Sequence, residues 1–489
     1  MDAIPIALFW GLALFGLFGR AHVLLYLFFG SIPFGAFAVI PPELTGGLTL
    51  TPTPMVVLLI ILRSVASPGG LEFFAGAAFS PKRLFLLFMF WLVAIFVTIF
   101  MPRLFMGKIT IIPVRLELST FGEPLMPTSQ NFSQLAYLSI SVFAVFAFTR
   151  LLRSPEMRKH ALMAMCLGGA MAVFTGLLDW MSQYVGMDPI LSPFRTASYA
   201  LMTEVQIMGG KRVVGLMPEA SVFGGRCIMF LSLLYFFRHA IPKRWLRERL
   251  LPVLIPLLIL FVWLSTSSAG YVGLLVFFLA AIIEWGIRKS QRRSNLLSPK
   301  GLGIEFWVAW TALLGVGLVV LFAPGLLDPI VEKINEMVLN KSQTSSYEER
   351  SMWTAVGWQA LIDTYGLGVG IGATRVSNSL VAILSNTGVV GGILYFAFAL
   401  QTLMRKLPAH ASGLNRALMT GCRYAYIPAF IVGLLTSTTP DFGSFNSFLY
   451  GLALAVIITT PKKAQQAENP KVFRVIQPPL HHPFGDVPR

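Results

Sequence analysis

Charge and cysteine are both scarce in this chain of 489 residues, with 12% charged side chains and three cysteines. A soluble domain carries about 25% charged residues. A soluble globule and a disordered chain are thereby excluded. Cys166, Cys227 and Cys422 lie in or beside apolar runs without metal spacing, so they read as buried small hydrophobes rather than as a disulfide framework. Acidic residues are fewer than basic ones, 22 against 38, which leaves a net charge of +16. What the chain has in quantity is apolar: 55% of it is hydrophobic, and the mean hydropathy is +0.72. The apolar runs are continuous, not alternating, which argues against a β-barrel. The composition is that of an all-α polytopic membrane protein.

Hydropathy places about thirteen transmembrane helices, near 4–19, 22–40, 54–66, 84–103, 134–150, 160–179, 219–238, 248–265, 268–287, 303–323, 376–403, 413–436 and 443–459. They form one transmembrane domain over 1–460. The first is read as a retained span, because Met1-Asp2 lacks the basic region of a cleavable signal. Basic clusters fall in every second loop: Arg63/Lys82/Arg83, Arg150/Arg153/Arg158/Lys159, Lys243/Arg244/Arg247/Arg249, Arg288/Lys289/Arg292/Arg293 and Arg405/Lys406/Arg416. That alternation marks the cytoplasmic side of a bilayer, and it assigns most of the positive charge to topology and anionic lipid headgroups instead of nucleic acid. The tail 461–489, rich in proline and charge without apolar period, reads as disordered and cytoplasmic.

The opposite side carries three long loops, about 104–133, 180–218 and 324–375. Long loops between compact spans carry function. No histidine faces this side: His22, His160, His239 and His410 abut cytoplasmic basic residues, and His481/His482 lie in the tail. A general base there has to be a carboxylate, and neither a zinc site nor a Ser/His/Asp set is expected.

In the second long loop Lys211-Arg212-Val213-Val214-Gly215 leads through Pro218 to Glu219 at the mouth of a span, with Arg226 two helical turns further on. Glu219 suits the positive end of a helix, and a Glu219–Arg226 pair is a purely structural alternative to a catalytic carboxylate. In the third loop Leu327, Ile330, Val331, Ile334, Met337 and Val338 recur at helical spacing, as in a surface amphipathic helix. Ser345 to Trp353 then opens a second helix. Arg350 is expected in its first turn, where the dipole disfavours a cation and an anionic ligand or a salt bridge to Glu348 or Glu349 would accommodate it. The run Gly366-Leu-Gly-Val-Gly-Ile-Gly372 lacks the βαβ setting of a nucleotide loop and reads as a close-packed descent into the next span.

In order and spacing these features resemble the O-antigen ligase and Wzy-type polysaccharide polymerase superfamily, membrane glycosyltransferases of the GT-C class. The similar elements are Arg212-x-x-Gly215, the turn Ser265-Thr-Ser-Ser-Ala-Gly270, Arg350-x-x-Trp353, the Gly-Val-Gly stretch, and Ser377-Asn378-Ser379-Leu380 with Asn386-Thr-Gly-Val-Val-Gly391. They cover roughly residues 200 to 400. The ligases carry a histidine where this chain has Ser377, and the turn often holds an arginine that Ser268 and Ala269 do not supply. The first of these departures favours a polymerase over a ligase.

The resemblance implies a bacterial inner-membrane enzyme that moves a glycan from undecaprenyl pyrophosphate to an acceptor sugar hydroxyl at the periplasmic face, with inversion. A ligase-type transferase is the alternative, and a flippase or transporter a more remote one. Arg212 and Arg350 would stabilise the leaving pyrophosphate without metal or other cofactor, and Glu219 would take the acceptor's proton. Lys211, Arg195, Arg226, Tyr347, Arg375 and Asn378 are the candidate substrate contacts. A chain-length-regulating co-polymerase and a flippase of the same pathway are the expected partners.

Overall fold

The computed structural model describes residues 3–45, 49–114, 122–186, 188–207, 210–291 and 344–460, with isolated positions between 311 and 340. Among them the chain is mostly helical, as the all-α reading expects. Six helices are long and apolar enough to cross a membrane, or seven if the bent pair Pro52–Ala66 and Gly70–Ala78 counts as one span. Four shorter apolar helices accompany them. The expected span at 303–323, the amphipathic helix at 327–338 and the tail 461–489 lie outside the described residues.

In chain order the helices are α1 (Ala3–Leu14), α2 (Ala21–Ser31), α3 (Pro52–Ala66), α4 (Gly70–Ala78), α5 (Phe85–Leu104), α6 (Ser129–Leu151), α7 (Pro155–Met181) and the short α8 (Asp188–Leu191). They continue with α9 (Ala220–Phe236), α10 (Leu251–Leu264), α11 (Ser268–Gln291), α12 (Ser345–Asp363), α13 (Ser379–Leu403), α14 (Gly413–Thr436) and α15 (Gly443–Thr459). Two two-stranded hairpins decorate the loops. One pairs β1 (Thr110–Ile111) with β2 (Glu123–Pro124), the other β3 (Gln206–Ile207) with β4 (Gly210–Lys211).

The core is aromatic and built for close helix approach. Phe28, Phe29, Phe148 and Phe448 stack among α2, α6 and α15, with ring centroids 4.9–6.3 Å apart. Residues 447–456 of α15 are wholly buried. The absence of a side chain at Gly451 lets α15 lie close against α6; a Cβ there would come within 2.5 Å of the Phe148 Cβ.

Three stretches differ from the hydropathy reading. The span expected over 22–40 is helical only to Ser31, because Pro33, Gly35 and Pro41-Pro42 end it. Its continuation is non-helical yet buried at Ala36, Phe37, Ala38 and Val39. Its backbone is satisfied by neighbouring loops: Ala36 N–H donates to the Leu216 carbonyl and Val39 N–H to the Leu50 carbonyl, both at 2.9 Å. The third span, α3, turns through 102° into α4 at Ser67-Pro68-Gly69. The span expected over 376–403 starts at Ser379 and breaks at Gly388 (φ 74°, ψ 175°).

The basic loops gather at one end of the bundle. Arg63 at the end of α3 donates to the carbonyls of Gly16, Leu17 and Gly19, and Arg150 at the end of α6 to those of Ser64 and Pro68. Arg158 of α7 meets Asn415 of α14, which bonds Thr460 beyond α15. Arg405 donates to the Lys82 carbonyl before α5. Arg238 and Arg288 both pair with Glu284. The second long loop and residues 344–375 of the third open from the other end.

This arrangement has a direct check. The native cysteines are all buried, so cysteines placed at Thr203 and Thr344 are expected to label with a membrane-impermeant thiol reagent from one face, and one placed at Ser412 from the other. Labelling of all three from the same face would overturn the assignment of ends.

Candidate functional site

The site forms at the end opposite the basic loops, and its foundation is Asp179, the last charged residue of α7. The Asp179 side chain is fully buried. One carboxylate oxygen accepts a 2.7 Å hydrogen bond from Arg195; the other accepts the backbone N–H of Val214 at 2.7 Å and of Gly215 at 3.0 Å. Arg195 also donates to the Gly215 carbonyl. Thr196 and Ala197 donate backbone N–H groups to Ala36. The loop carrying Arg212 is thus fastened to α7 and to the irregular segment after α2.

Arg212 leaves this loop and lies on the turn between α10 and α11. Its Nε donates to the Ser265 carbonyl at 3.1 Å and to the Thr266 hydroxyl at 2.8 Å, and Nη2 donates to the Thr266 carbonyl at 3.0 Å. Thr266 has φ +45°, left-handed geometry that a β-branched residue rarely adopts. Its strain is of the kind found where backbone is held for function. The Ser/Thr/Gly turn of the sequence is therefore the cradle of Arg212.

Arg375 comes from the descent into α13. Its guanidinium lies 4.1 Å from the centre of the Trp353 ring, and its buried Nε has no hydrogen-bond partner. Its backbone N–H donates to the Ile112 carbonyl at 2.7 Å, so the first long loop props it. Burial disfavours the charge on both Arg212 and Arg375; Glu219 is close enough to favour it and Arg350 to oppose it at both. Arg212 and Glu219 from the second long loop and Arg350, Arg375 and Glu349 from the third therefore form one electrostatic cluster.

Glu219 is the N-cap residue of α9, and its carboxylate accepts the Ser221 hydroxyl. Among the described residues no ion pair joins Glu219 to Arg226, so the structural pairing considered from the sequence is not made. Arg226 has no polar partner there either. Arg350 is the sixth residue of α12, in its second turn rather than its first, which removes the dipole argument attached to it. No ion pair to Glu348 or Glu349 is made among the described residues.

The remaining candidates divide. Lys211 pairs with Glu204 at 2.9 Å, and Arg195 is committed to Asp179. Asn378 caps α13 by accepting the N–H groups of Leu380 and Val381. Tyr347 is 46% exposed on the first turn of α12. Asp179 and Tyr271 escaped the sequence reading, as did Asp441, while Trp353 was read only as part of the motif with Arg350. Asp179 and Asp441 did carry a signal, each being an acid inside or beside an apolar run. Asp441 accepts the Gly443 N–H at 3.0 Å, and burial raises its carboxyl above the ordinary range.

The glycine run docks this assembly to the bundle. Gly368 (φ +84°) and Gly388 (φ +74°) meet backbone to backbone: a Cβ on Gly368 would come within 2.5 Å of the Gly388 nitrogen. Val369 and Gly370 donate to the carbonyls of Ser385 and Asn386 across the break in α13, and Ile371 to the Thr98 hydroxyl of α5. Among the described residues no three His, Cys, Asp or Glu side chains converge as a metal-binding group.

Two substitutions test this framework. Asp179→Asn leaves Arg195 buried without its counter-charge and is expected to cost about 3–5 kcal/mol of stability, read as a lower thermal midpoint in detergent; unchanged melting would refute the anchor. Gly388→Ala combines a forbidden φ with a backbone clash at the Leu367 carbonyl, 2.4 Å away. It is expected to abolish stable expression, whereas Gly286→Ala, where a Cβ meets nothing, is expected to be silent.

No protein-family model and no curated protein matches this chain.

Proposed function

We propose that the protein is a bacterial inner-membrane glycan polymerase that elongates repeat units carried on undecaprenyl pyrophosphate, with its site on the face opposite the basic loops, the periplasmic one. The observation that carries this reading is the excess of cation over anion: Arg212, Arg350 and Arg375 lie within electrostatic reach of one another with Glu219 and Glu349 as the acids near them, and none of the three arginines forms an ion pair among the described residues. Clustered positive charge in excess of its protein counter-charge calls for an anionic ligand, and planar guanidinium groups match phosphate oxygens two at a time.

In the proposed reaction the acceptor hydroxyl attacks the anomeric carbon from the side opposite the pyrophosphate. The new C–O bond forms as the bond to the leaving oxygen breaks, its electron pair passing to the pyrophosphate, and the configuration inverts. Arg212 and Arg350 stabilise the charge that gathers on the leaving group, fixed before the reaction begins. Glu219 takes the proton of the attacking hydroxyl. Arg375, backed by Trp353, holds the phosphates from the side of α13.

Arg212→Lys and Arg350→Lys keep the charge but lose the fork. Each is expected to lower turnover of a purified lipid-pyrophosphate-linked repeat on the order of 100-fold while the protein stays folded. Glu219→Gln is expected to slow turnover and flatten its rise with pH. Full activity in both arginine variants would remove the reading.

A deletion strain separates the reactions. Surface glycan reduced to single capped repeats is the expected result. Full-length polymer missing from its final acceptor would indicate a ligase, and lipid-linked units trapped at the inner leaflet a flippase. The flippase has two structural points in its favour, Arg226 inside α9 without a polar partner among the described residues and the half-buried Asp441 beyond α14.

A further inference from the structure

The basic end holds a second charged cavity, of about 680 Å³, between the ends of α2, α3, α6 and α7. Arg63, Arg150 and Arg153 line it with Ser64, Ser67 and Ser154, and no carboxylate does. Among the described residues none of the three arginines forms an ion pair. Arg63 is instead held by three carbonyls of the π-helical turn Phe15–Gly19, and Arg150 by the Ser64 and Pro68 carbonyls and the Ser67 hydroxyl at the end of α3. Carbonyl oxygens orient a guanidinium but do not neutralise it, and three bonds leave two of its five N–H donors unused. Arg153 is exposed, lies 5.6 Å from the Phe73 ring, and has no side-chain hydrogen bond among the described residues.

The floor of the cavity is apolar, formed by Leu24, Ile60, Leu151 and Met157. Large apolar side chains flank it outward, Leu62 at 50% and Phe18 at 82% exposure, as at a surface facing acyl chains. A positively charged rim over an apolar floor at the end of a helix bundle matches an amphiphile whose head is anionic.

We propose that this cavity binds the phosphate of an anionic phospholipid headgroup, with Arg153 as its movable clamp and Arg63 and Arg150 as fixed donors. This site is independent of the proposed glycan chemistry and lies at the opposite end of the bundle. Anionic headgroups gain roughly a fivefold preference per basic residue at such a surface.

The test uses the full chain, purified in detergent, with retained lipid measured by native mass spectrometry after titration with phosphatidylglycerol or phosphatidylcholine, each with and without inorganic phosphate. Selective retention of phosphatidylglycerol is expected, reduced about fivefold in Arg153→Gln. Equal retention of the two lipids would overturn the proposal, as would wild-type retention in Arg153→Gln. Displacement by inorganic phosphate at concentrations equal to the lipid would show a free-anion site and overturn the lipid assignment. Should Arg153→Gln fail to fold, Ser154→Asp places a carboxylate in the cavity at the N-cap of α7, where aspartate is well tolerated. It is expected to lower phosphatidylglycerol retention by a similar factor, and unchanged retention would again refute the site.

Discussion

The fully buried carboxylate of Asp179 is the point on which the site end of the molecule turns. Placing it out of water is costly unless it is paired and hydrogen-bonded. Arg195 supplies the counter-charge and one bond, and the N–H groups of Val214 and Gly215 supply two more. The gain is organisational. Three segments without regular structure, following α2, following α8 and preceding α9, are drawn to one place on α7 and satisfy one another's backbone. Ala36 shows this most directly, donating to Leu216 while accepting from Thr196 and Ala197. Irregular backbone at membrane depth is tolerated where protein supplies its hydrogen bonds, and here one acid organises that supply.

From this platform the charges at the two ends acquire different characters. At the basic end the arginines sit at helix ends, and Arg238 and Arg288 share Glu284. At the other end Arg212, Arg350 and Arg375 lie near Glu219 without an ion pair among the described residues. A bundle gains nothing in stability from enclosing Arg375 with an unbonded Nε beside Trp353, or from holding Thr266 in left-handed geometry beneath Arg212. Features that cost stability and cluster together are the mark of a site.

The sequence displayed the helical class and the alternation of basic loops, because continuous apolar runs and their flanking charges are local signals. It also displayed the turn Ser265–Ser267, since serine and threonine between two apolar runs can only punctuate them. It misled where the same apolar composition serves non-helical chain: residues 32–40 are as hydrophobic as a span but are bonded by loops 180 residues distant. The break in α13 was hidden because an Asn-Thr-Gly sequence inside an apolar run does not announce that a second glycine, Gly368, will press against it. Arg212 and Glu219 were visible as charges at a span mouth. The commitment of Arg195 and Lys211 to acids was not, for it depends on which loops meet. Asp179 was overlooked as the last residue of an apolar run, although an acid at that position has few reasons to be there other than a partner.

The three arginines are not equivalent, and their surroundings say how they differ. Arg212 cannot turn without giving up hydrogen bonds to Ser265 and Thr266, so its position is set before any ligand arrives. Arg375 is held by a ring face and by its own backbone bond to Ile112, which fixes its place but leaves its donors unspent. Arg350 has no side-chain bond among the described residues, and its helix α12 is tied to the site through Thr354, which accepts from Ser377 and donates to Arg350's own carbonyl. A phosphate entering between them meets one rigid cation, one oriented cation and one free to adapt. Rigid donors lower the reorganisation that developing charge would otherwise demand, while an adaptable one admits ligands of varied bulk. On the proposed reading, a site that binds one pyrophosphate beneath glycans of growing length would need both properties, and the unequal anchoring of Arg212 and Arg350 would supply them from residues 138 positions apart in the chain.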